Sequence, residues 1–414
     1  MMLKQILNVA LAYVGVIVGA GLSSGQDLMQ YFVSFGKWGI LGAVILGILN
    51  AVFGKIIITF GSYFRSNDHF EVLSQIAGSI TNKILDISLI ICCFVVGFVM
   101  IAGAGSNLNQ QFGMPFWSGA LLCAVLIILV SFLNFEKITN VIGIFTPIIF
   151  IMIMIMAVYT FASQRFDFKE LETIANTIST PMPNIWFSVL NYFSLCVMTG
   201  VSMAFVLGGS IMRIGVAEKG GTLGGFIIGI IITVTTCILY ANVKLATTVD
   251  IPMLAIAKQI HPAFAFVYAL VIFGLIFNTA FSLFYALAKR FSSNQSKRFY
   301  PIMIGTVVVG YILSFMGFKK LVSIMYPILG YIGFIMLMVL LIGWIKERSN
   351  VRDEKFLRRK MIRLITKKYD DEQEYTKADK EKFQKLGEDS IVDTKSIKSD
   401  IKDLVKEQFT DDNK

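Results

Sequence analysis

Three stretches of this chain carry the side chains best suited to chemistry, and all three lie inside apolar surroundings. The first, Gly19-Ala20-Gly21-Leu22-Ser23-Ser24-Gly25-Gln26-Asp27, sets glycines, hydroxyls, an amide and a carboxylate between the runs ILNVALAYVGVIV and LMQYFVSFG. The second, NYFSLCVMTGVSMAFVLGGS, holds Phe193, Ser194, Thr199, Gly200 and Ser202. The third, FGLIFNTAFSLFYALAKRF, holds Thr279 and Ser282, three residues apart and so on one face of a helix, with Asn278 beside them. Hydroxyls, amides and freed backbone groups bind ligands, and a hydroxyl breaks bonds only when a base activates it. No paired histidines, intramembrane carboxylate dyad or nucleophile with a base is present, so an enzyme is not expected. His69 and His261 are far apart, and Cys92, Cys93, Cys123, Cys196 and Cys237 sit in apolar runs without metal-ligand spacing. They read as small buried hydrophobes, and no cofactor is expected.

The elements that must position these stretches are membrane helices. The chain has 414 residues, is 56% hydrophobic and has a mean hydropathy of +0.71, above the roughly 45–50% apolar content of soluble domains. Charge is segregated: 19 of the 37 basic and 17 of the 27 acidic residues lie from Lys346 onward. The net charge of +10 is therefore no nucleic-acid signal, because the bases of the body stand singly between apolar runs. A spanning helix needs about 20 apolar residues. Breaks at Gly, Pro and charges give ten candidates, near 5–34, 38–64, 84–110, 116–134, 138–162, 185–210, 222–243, 262–290, 299–316 and 320–345. The connections 163–184 and 244–261 are long enough for short interfacial helices. The first segment has one lysine, Lys4, and no small-residue cleavage site, so no cleavable signal is read.

With the N-terminus inside, the cytoplasmic connections carry ten basic residues (Lys4, Arg65, Lys83, Lys137, Arg213, Lys219, Lys289, Arg290, Lys297, Arg298) against seven outside (Lys37, Arg165, Lys169, Lys244, Lys258, Lys319, Lys320). This predicts a multi-pass protein of the cytoplasmic membrane with both termini inside. The starts of spans one to five recur about 180 residues later in spans six to ten. Two successive halves of five spans, 1–165 and 185–345, must then have inverted topology, an architecture frequent among secondary transporters.

An inverted repeat predicts matching interruptions near the bilayer midplane, here at 19–26 and 197–202. Against a re-entrant hairpin with an ordinary loop at the first stand its flanks, whose arms of about 14 and 9 residues are too short to span separately. Backbone groups freed by unwinding are tolerated only where they line a cavity and meet a ligand. A half-helix N-terminus suits a carboxylate; freed carbonyls suit a cation.

The VGAGLSSGQ break resembles helix 1 of the amino acid–polyamine–organocation (APC) superfamily and other LeuT-fold transporters, and its GAG-x-S-S-G-Q-acid form resembles the YkvI-like bacterial membrane proteins. Tyr192-Phe193-Ser194-Leu195 is similar to the aromatic–hydroxyl stretch of helix 6 in such transporters. The resemblance implies an all-α fold of ten spans with helices 1 and 6 broken, covering 1–345, and a transporter of a small solute such as an amino acid. It implies a substrate between the breaks, met by Gly19, Ala20, Gly21, Ser23, Ser24, Gly25 and Gln26 on one side. Phe193, Ser194 and Thr199 would meet it from the other, with Tyr192 a weaker candidate. It also implies a sodium site made of the Gly15 and Val18 carbonyls and the Thr279 and Ser282 hydroxyls. Some proton-coupled relatives place a lysine in helix 5; here that helix has no ionisable residue. Asp27 keeps three readings: favouring a helix start, carrying a proton, or pairing with a cationic substrate.

The run Ser106-Asn107-Leu108-Asn109-Gln110-Gln111 would line an outer vestibule or form a solvated helix end. Lys55 would snorkel to the cytoplasmic face. In the tail, 346–414, the segment 356–368 sets Leu357, Met361, Leu364 and Ile365 on one face amid Arg358, Arg359, Lys360, Arg363, Lys367 and Lys368. That pattern suits a helix on an anionic lipid surface, followed by a disordered end. A sensor built on a transporter fold is the rival from another class.

Overall fold

A computed structural model describes residues 2–66, 68–132, 145–163, 166–292, 296–369 and 373–412. Among them the chain is helical, with no strand. The first span is three pieces: α1 (Met2–Ile17), α2 (Ala20–Ser24) and α3 (Gln26–Tyr31). Gly19 is extended between the first two (φ −97°, ψ −166°), and Gly25 is left-handed between the second and third (φ 79°), which favours glycine. Then come α4 (Lys37–Phe64), α5 (His69–Ile76), α6 (Ser79–Phe112), α7 (Phe116–Val130), α8 (Phe145–Ser163) and α9 (Phe168–Ala175). The second half holds α10 (Ile185–Gly209), α11 (Ile214–Ala241), α12 (Val243–Ala246), α13 (Pro252–Ile260), α14 (Pro262–Ser292), α15 (Ser296–Ser314) and α16 (Phe318–Tyr369). Two tail helices close the chain, α17 (Lys377–Glu388) and α18 (Thr394–Asp412).

Six helices among the described residues (α4, α6, α10, α11, α14, α16) are long and apolar enough to cross a membrane, against ten expected spans. The shortfall has local causes. The break leaves α1 with 16 residues, and α7 has 15. Residues 138–144 of the expected fifth span lie outside the described residues. The start of α15 carries Lys297 and Arg298. Large apolar side chains such as Ile48, Leu129, Val158 and Met338 stay exposed around the body, as lipid-facing groups do. The chain is a multi-pass membrane protein.

The second expected break is absent. α10 runs unbroken through 197–202 because its hydroxyls bond to their own backbone: Ser194 Oγ to Leu190 O (2.8 Å) and Thr199 Oγ1 to Cys196 O (3.0 Å). Its small residues serve close packing, as Gly200 does under Ile17. Glycine contacts also bring α4 against α10 and α11. A Cβ on Gly47 would lie 2.7 Å from Gly229 Cα, and one on Gly54 2.6 Å from Gly221 O.

The tail departs furthest from expectation. α16 continues 24 residues beyond Ile345 as one helix, and α17 and α18 fold back on it. The apolar face expected to enter lipid is covered by protein: Met361 and Ile365 pack with Phe383, Ile397, Ile401 and Val405 of the tail and with Met212. Arg358, 1% exposed, pairs with Glu354 and donates to the Ser62 and Tyr63 carbonyls, capping the end of α4. Arg65 donates to Gly209 O at the end of α10 and pairs with Asp400 at 2.6 Å. A disordered tail is thus replaced by a folded one, because its few apolar residues share one face with those of α16.

Candidate functional site

The break in the first span opens onto a cavity of about 2150 Å³ lined by α1, α2, α3, α5, α6, α8, α10, α11, α14 and Tyr326 of α16. It reaches the exposed Lys289 and Arg290 at the face that carries the N-terminus and tail. Its lining includes no residue of α13 or of the 106–111 run. That opposite side is shut by packing. Ser106 donates to Asp250 (3.0 Å), and Gln110 exchanges hydrogen bonds with both backbone groups of Ile251 (2.9 and 3.0 Å). Tyr268 donates to Ser23 O, and the Gly25 backbone lies against Met253 and Leu239. Within the polar end of α6, Ser106 and Gln110 therefore latch α13 and its approach over the break, while Asn109 is exposed at the helix end.

At the closed end of the cavity stands Asp27, 3% exposed. Its Oδ2 accepts the Tyr192 hydroxyl at 2.6 Å and its Oδ1 accepts the Leu28 N–H at 3.0 Å. The first distance is that of a charge-assisted bond, about 2.5–2.7 Å for O–H to carboxylate. Asp27 folds back over Gly21: a Cβ there would sit 2.9 Å from Oδ2. Among the described residues no basic side chain pairs with it. Tyr192 is braced by Tyr31 and Phe32, with ring centroids 5.0 and 5.4 Å away. Tyr31 in turn donates to Asn191, which donates to Pro327 O in α16.

The expected residues divide. Gly15, Val18, Gly19, Gly21, Asp27, Thr199, Thr279 and Ser282 all line the cavity. Ser23, Ser24, Gly25 and Gln26 do not; they are buried supports of the break, with Ser23 Oγ on Gly19 O and Ser24 Oγ on Gly21 O. Ala20 begins α2, and its side chain lies outside what the structure describes. Phe193 and Ser194 point away: Phe193 packs edge-on against Phe53, and Ser194 lies under Gly333. An unbroken α10 presents Tyr192, Cys196, Thr199 and Met203 on one face instead, at helical spacing. Across the cavity Thr279 Oγ1 lies 3.6 Å from where a Cβ on Gly19 would stand, so the break and α14 meet there. Thr279 donates to Leu275 O, which leaves its lone pairs open, and Asn278 Oδ1 is buried without a partner.

Sequence reasoning missed the polar mouth. Asp86 pairs with Arg290 at 2.5 Å and faces His69 Nε2 at 3.8 Å, while Asp68 caps α5 through Glu71 N. Burial pushes the His69 imidazole below its ordinary value, against the opposing pull of Asp68 and Asp86. The only sequence signal was an acid inside an apolar run, Asp86, some 200 residues from its partner. Lys55, its side chain partly exposed, pairs with Glu218 at 2.9 Å, and Glu218 also pairs with Lys355 of the tail.

No protein-family model matches the chain. Two Bacillus subtilis proteins do: "Uncharacterized membrane protein YkvI" is 25% identical over 335 residues, 79% of this chain and 92% of its own. "Uncharacterized protein YyaD" is 26% identical over 335 residues, 80% and 95%. Among solved structures, MhsT in complex with L-phenylalanine superposes with a TM-score of 0.57 at 12% identity, over 96% of this chain and 97% of that one. The Eremococcus coleocola manganese transporter gives 0.51 at 11%, over 99% and 94%. The nucleobase-cation-symport-1 transporter MHP1 with bromovinylhydantoin gives 0.51 at 13%, over 78% and 74%. At such identities the structures speak for the fold, which is the LeuT fold, and in sequence the chain is similar to YkvI and YyaD over about four fifths of its length.

Proposed function

We propose that the chain is a secondary active transporter that moves a small solute, an amino acid or related compound, across the cytoplasmic membrane by alternating access. One observation carries this reading: the start of the interruption, at Val18, Gly19, Gly21 and Leu22, lines a cavity open at one face and closed at the other. A break inside a membrane span exposes polar backbone that needs a ligand, and a one-sided cavity at that break is a substrate site caught in one of two states. With both termini cytoplasmic by the basic-residue bias, that state is inward-facing. α4, α10 and α11, joined to α1 through glycine contacts, would rock against α6, α7, α14 and α15 around the cavity. The Thr199 side of α10 and the Gly19–Gly21 backbone would hold the solute.

Sodium is the proposed coupling ion. Gly15, Val18, Asn278, Thr279 and Ser282 all line one cavity, so the first two would offer carbonyls, the last two hydroxyls and Asn278 its unpartnered Oδ1 as hard oxygen ligands. Proton coupling through Asp27 is the second reading, favoured by the absence of a basic partner. In the tail, exposed Arg359, Lys360 and Arg363 leave contact with anionic lipid to charge alone. The test is accumulation in liposomes containing the purified protein, with sodium and proton gradients imposed separately across an amino-acid and amine panel. At least one solute should accumulate under the sodium gradient, and the double substitution Thr279→Ala with Ser282→Ala should abolish that dependence. Failure of every solute under both gradients, with folded protein, contradicts transport.

A further inference from the structure

We propose that Asp27 is the recognition site for a protonated amine, so that the solute is an organic ammonium with an apolar body and needs no carboxylate. This rests on the reading of the cavity as the substrate site and names the substrate's chemistry. Three acids line the cavity: Asp27, Asp68 and Asp86. Asp86 is committed to Arg290 and His69, and Asp68 to the start of α5. Asp27 alone faces the cavity's closed end without a basic partner among the described residues.

The lining bases are His69, Lys289 and Arg290, all at the mouth. Arg290 is eleven residues along α14 from Thr279, which touches the break. At 1.5 Å per residue that is roughly 16 Å away. A solute carboxylate at the closed end would thus meet Asp27 and no basic side chain. An ammonium there would meet a carboxylate with free lone pairs, since an ionised carboxyl offers about four acceptor sites and two are used. Both of those bonds come from donors, Tyr192 O–H and Leu28 N–H, which hold Asp27 as an acceptor. An uncompensated buried charge is costly, and a cation entering from the cavity relieves that cost. Tyr192 and Tyr326 lie beside the carboxylate and would offer ring faces to the ammonium. Leu195, Met198, Val96, Met100 and Leu275 then receive an apolar body.

The proposal is tested on the purified full-length chain by thermal shift and calorimetric titration with matched probes. 2-Phenylethylamine and phenylalanine carry the ammonium, and N-acetylphenylalanine carries the same body with the amine blocked. Pentylamine and pentanoate repeat the contrast without an aromatic ring. The amines and phenylalanine should stabilise the protein, and the blocked and anionic probes should not. Asp27→Asn should weaken amine binding roughly 10- to 100-fold, the range of one hydrogen bond to a charged group. Asp27→Glu should recover part of it. Should Asp27→Asn fail to fold, the contrast of amine with blocked amine on the unaltered protein decides alone. Binding of N-acetylphenylalanine or pentanoate as tight as that of the amines overturns the proposal. So does silence from every ammonium probe, and so does unchanged amine binding in Asp27→Asn with loss only of proton-driven uptake. Accumulation of a solute without an ammonium would sink the amine reading and leave transport standing. Asp27-dependent amine binding without accumulation under any gradient would do the reverse.

Discussion

Gly21 and Asp27 are six residues apart and interlocked: the carboxylate occupies the space that any side chain at position 21 would fill. Gly21→Leu should therefore expel Asp27 from its bond with Tyr192 and weaken solute binding as far as Asp27→Asn does, measured by the same titration; unchanged binding would separate the two residues. At the mouth, His69 supplies a pH dependence. Its folded-state value is below the unfolded one because burial disfavours the imidazolium. As pH falls through the unfolded value, near 6.5, the unfolded chain takes up a proton that the folded chain resists, so stability drops. The melting temperature should fall between pH 7 and pH 5 and fall less in His69→Gln; equal slopes would show that His69 is not the responsible group. The sequence showed Asp27 as an acid in an apolar segment and left its role open. It could not show that the role depends on Tyr192, 165 positions away and bonded to it only once two helices have packed.

The helices were legible where hydropathy and composition decide, and not where one residue type serves two purposes. The first break was readable because three glycines and four polar groups fall within nine residues and no packing arrangement needs that density. The second was misread because the Ser, Thr and Gly of α10 suit a continuous helix equally well, with hydroxyls bonded inward and glycine under a neighbour. Phe193 and Ser194 followed from that misreading, since an unbroken helix turns them out of the cavity. Glycine packing itself yields a prediction at this scale. Gly229→Leu would drive a side chain into the Gly47 backbone, and should cost about 1–3 kcal/mol as overpacking does. Gly305→Leu, with nothing near its Cβ position, should leave the melting temperature within a degree or two. Equal effects at both positions would remove the close contact of α4 with α11 as a source of stability.

At the scale of the whole molecule, the 1–345 body and the 346–414 tail are distinct in composition and joined in structure. Disorder was the natural reading of a tail so charged, because the apolar residues that fold it are few and find partners only on α16 and Met212. Removing 373–414 should expose Met361 and Ile365, strip Glu354 of its bonds from Ser390 and Ile391, and lower the melting temperature. Uptake that survives the deletion would make the tail a support of the fold; uptake retained at full rate would also disfavour a sensor that signals through it. The central claim is that one cavity serves both faces in turn. Its most direct measurement uses a background free of Cys92, Cys93, Cys123, Cys196 and Cys237, with Thr199→Cys as the single label site in oriented vesicles. A membrane-impermeant maleimide should label position 199 from the tail face in the resting protein and from the opposite face once sodium and solute are supplied. Labelling confined to one face under every condition would contradict alternating access.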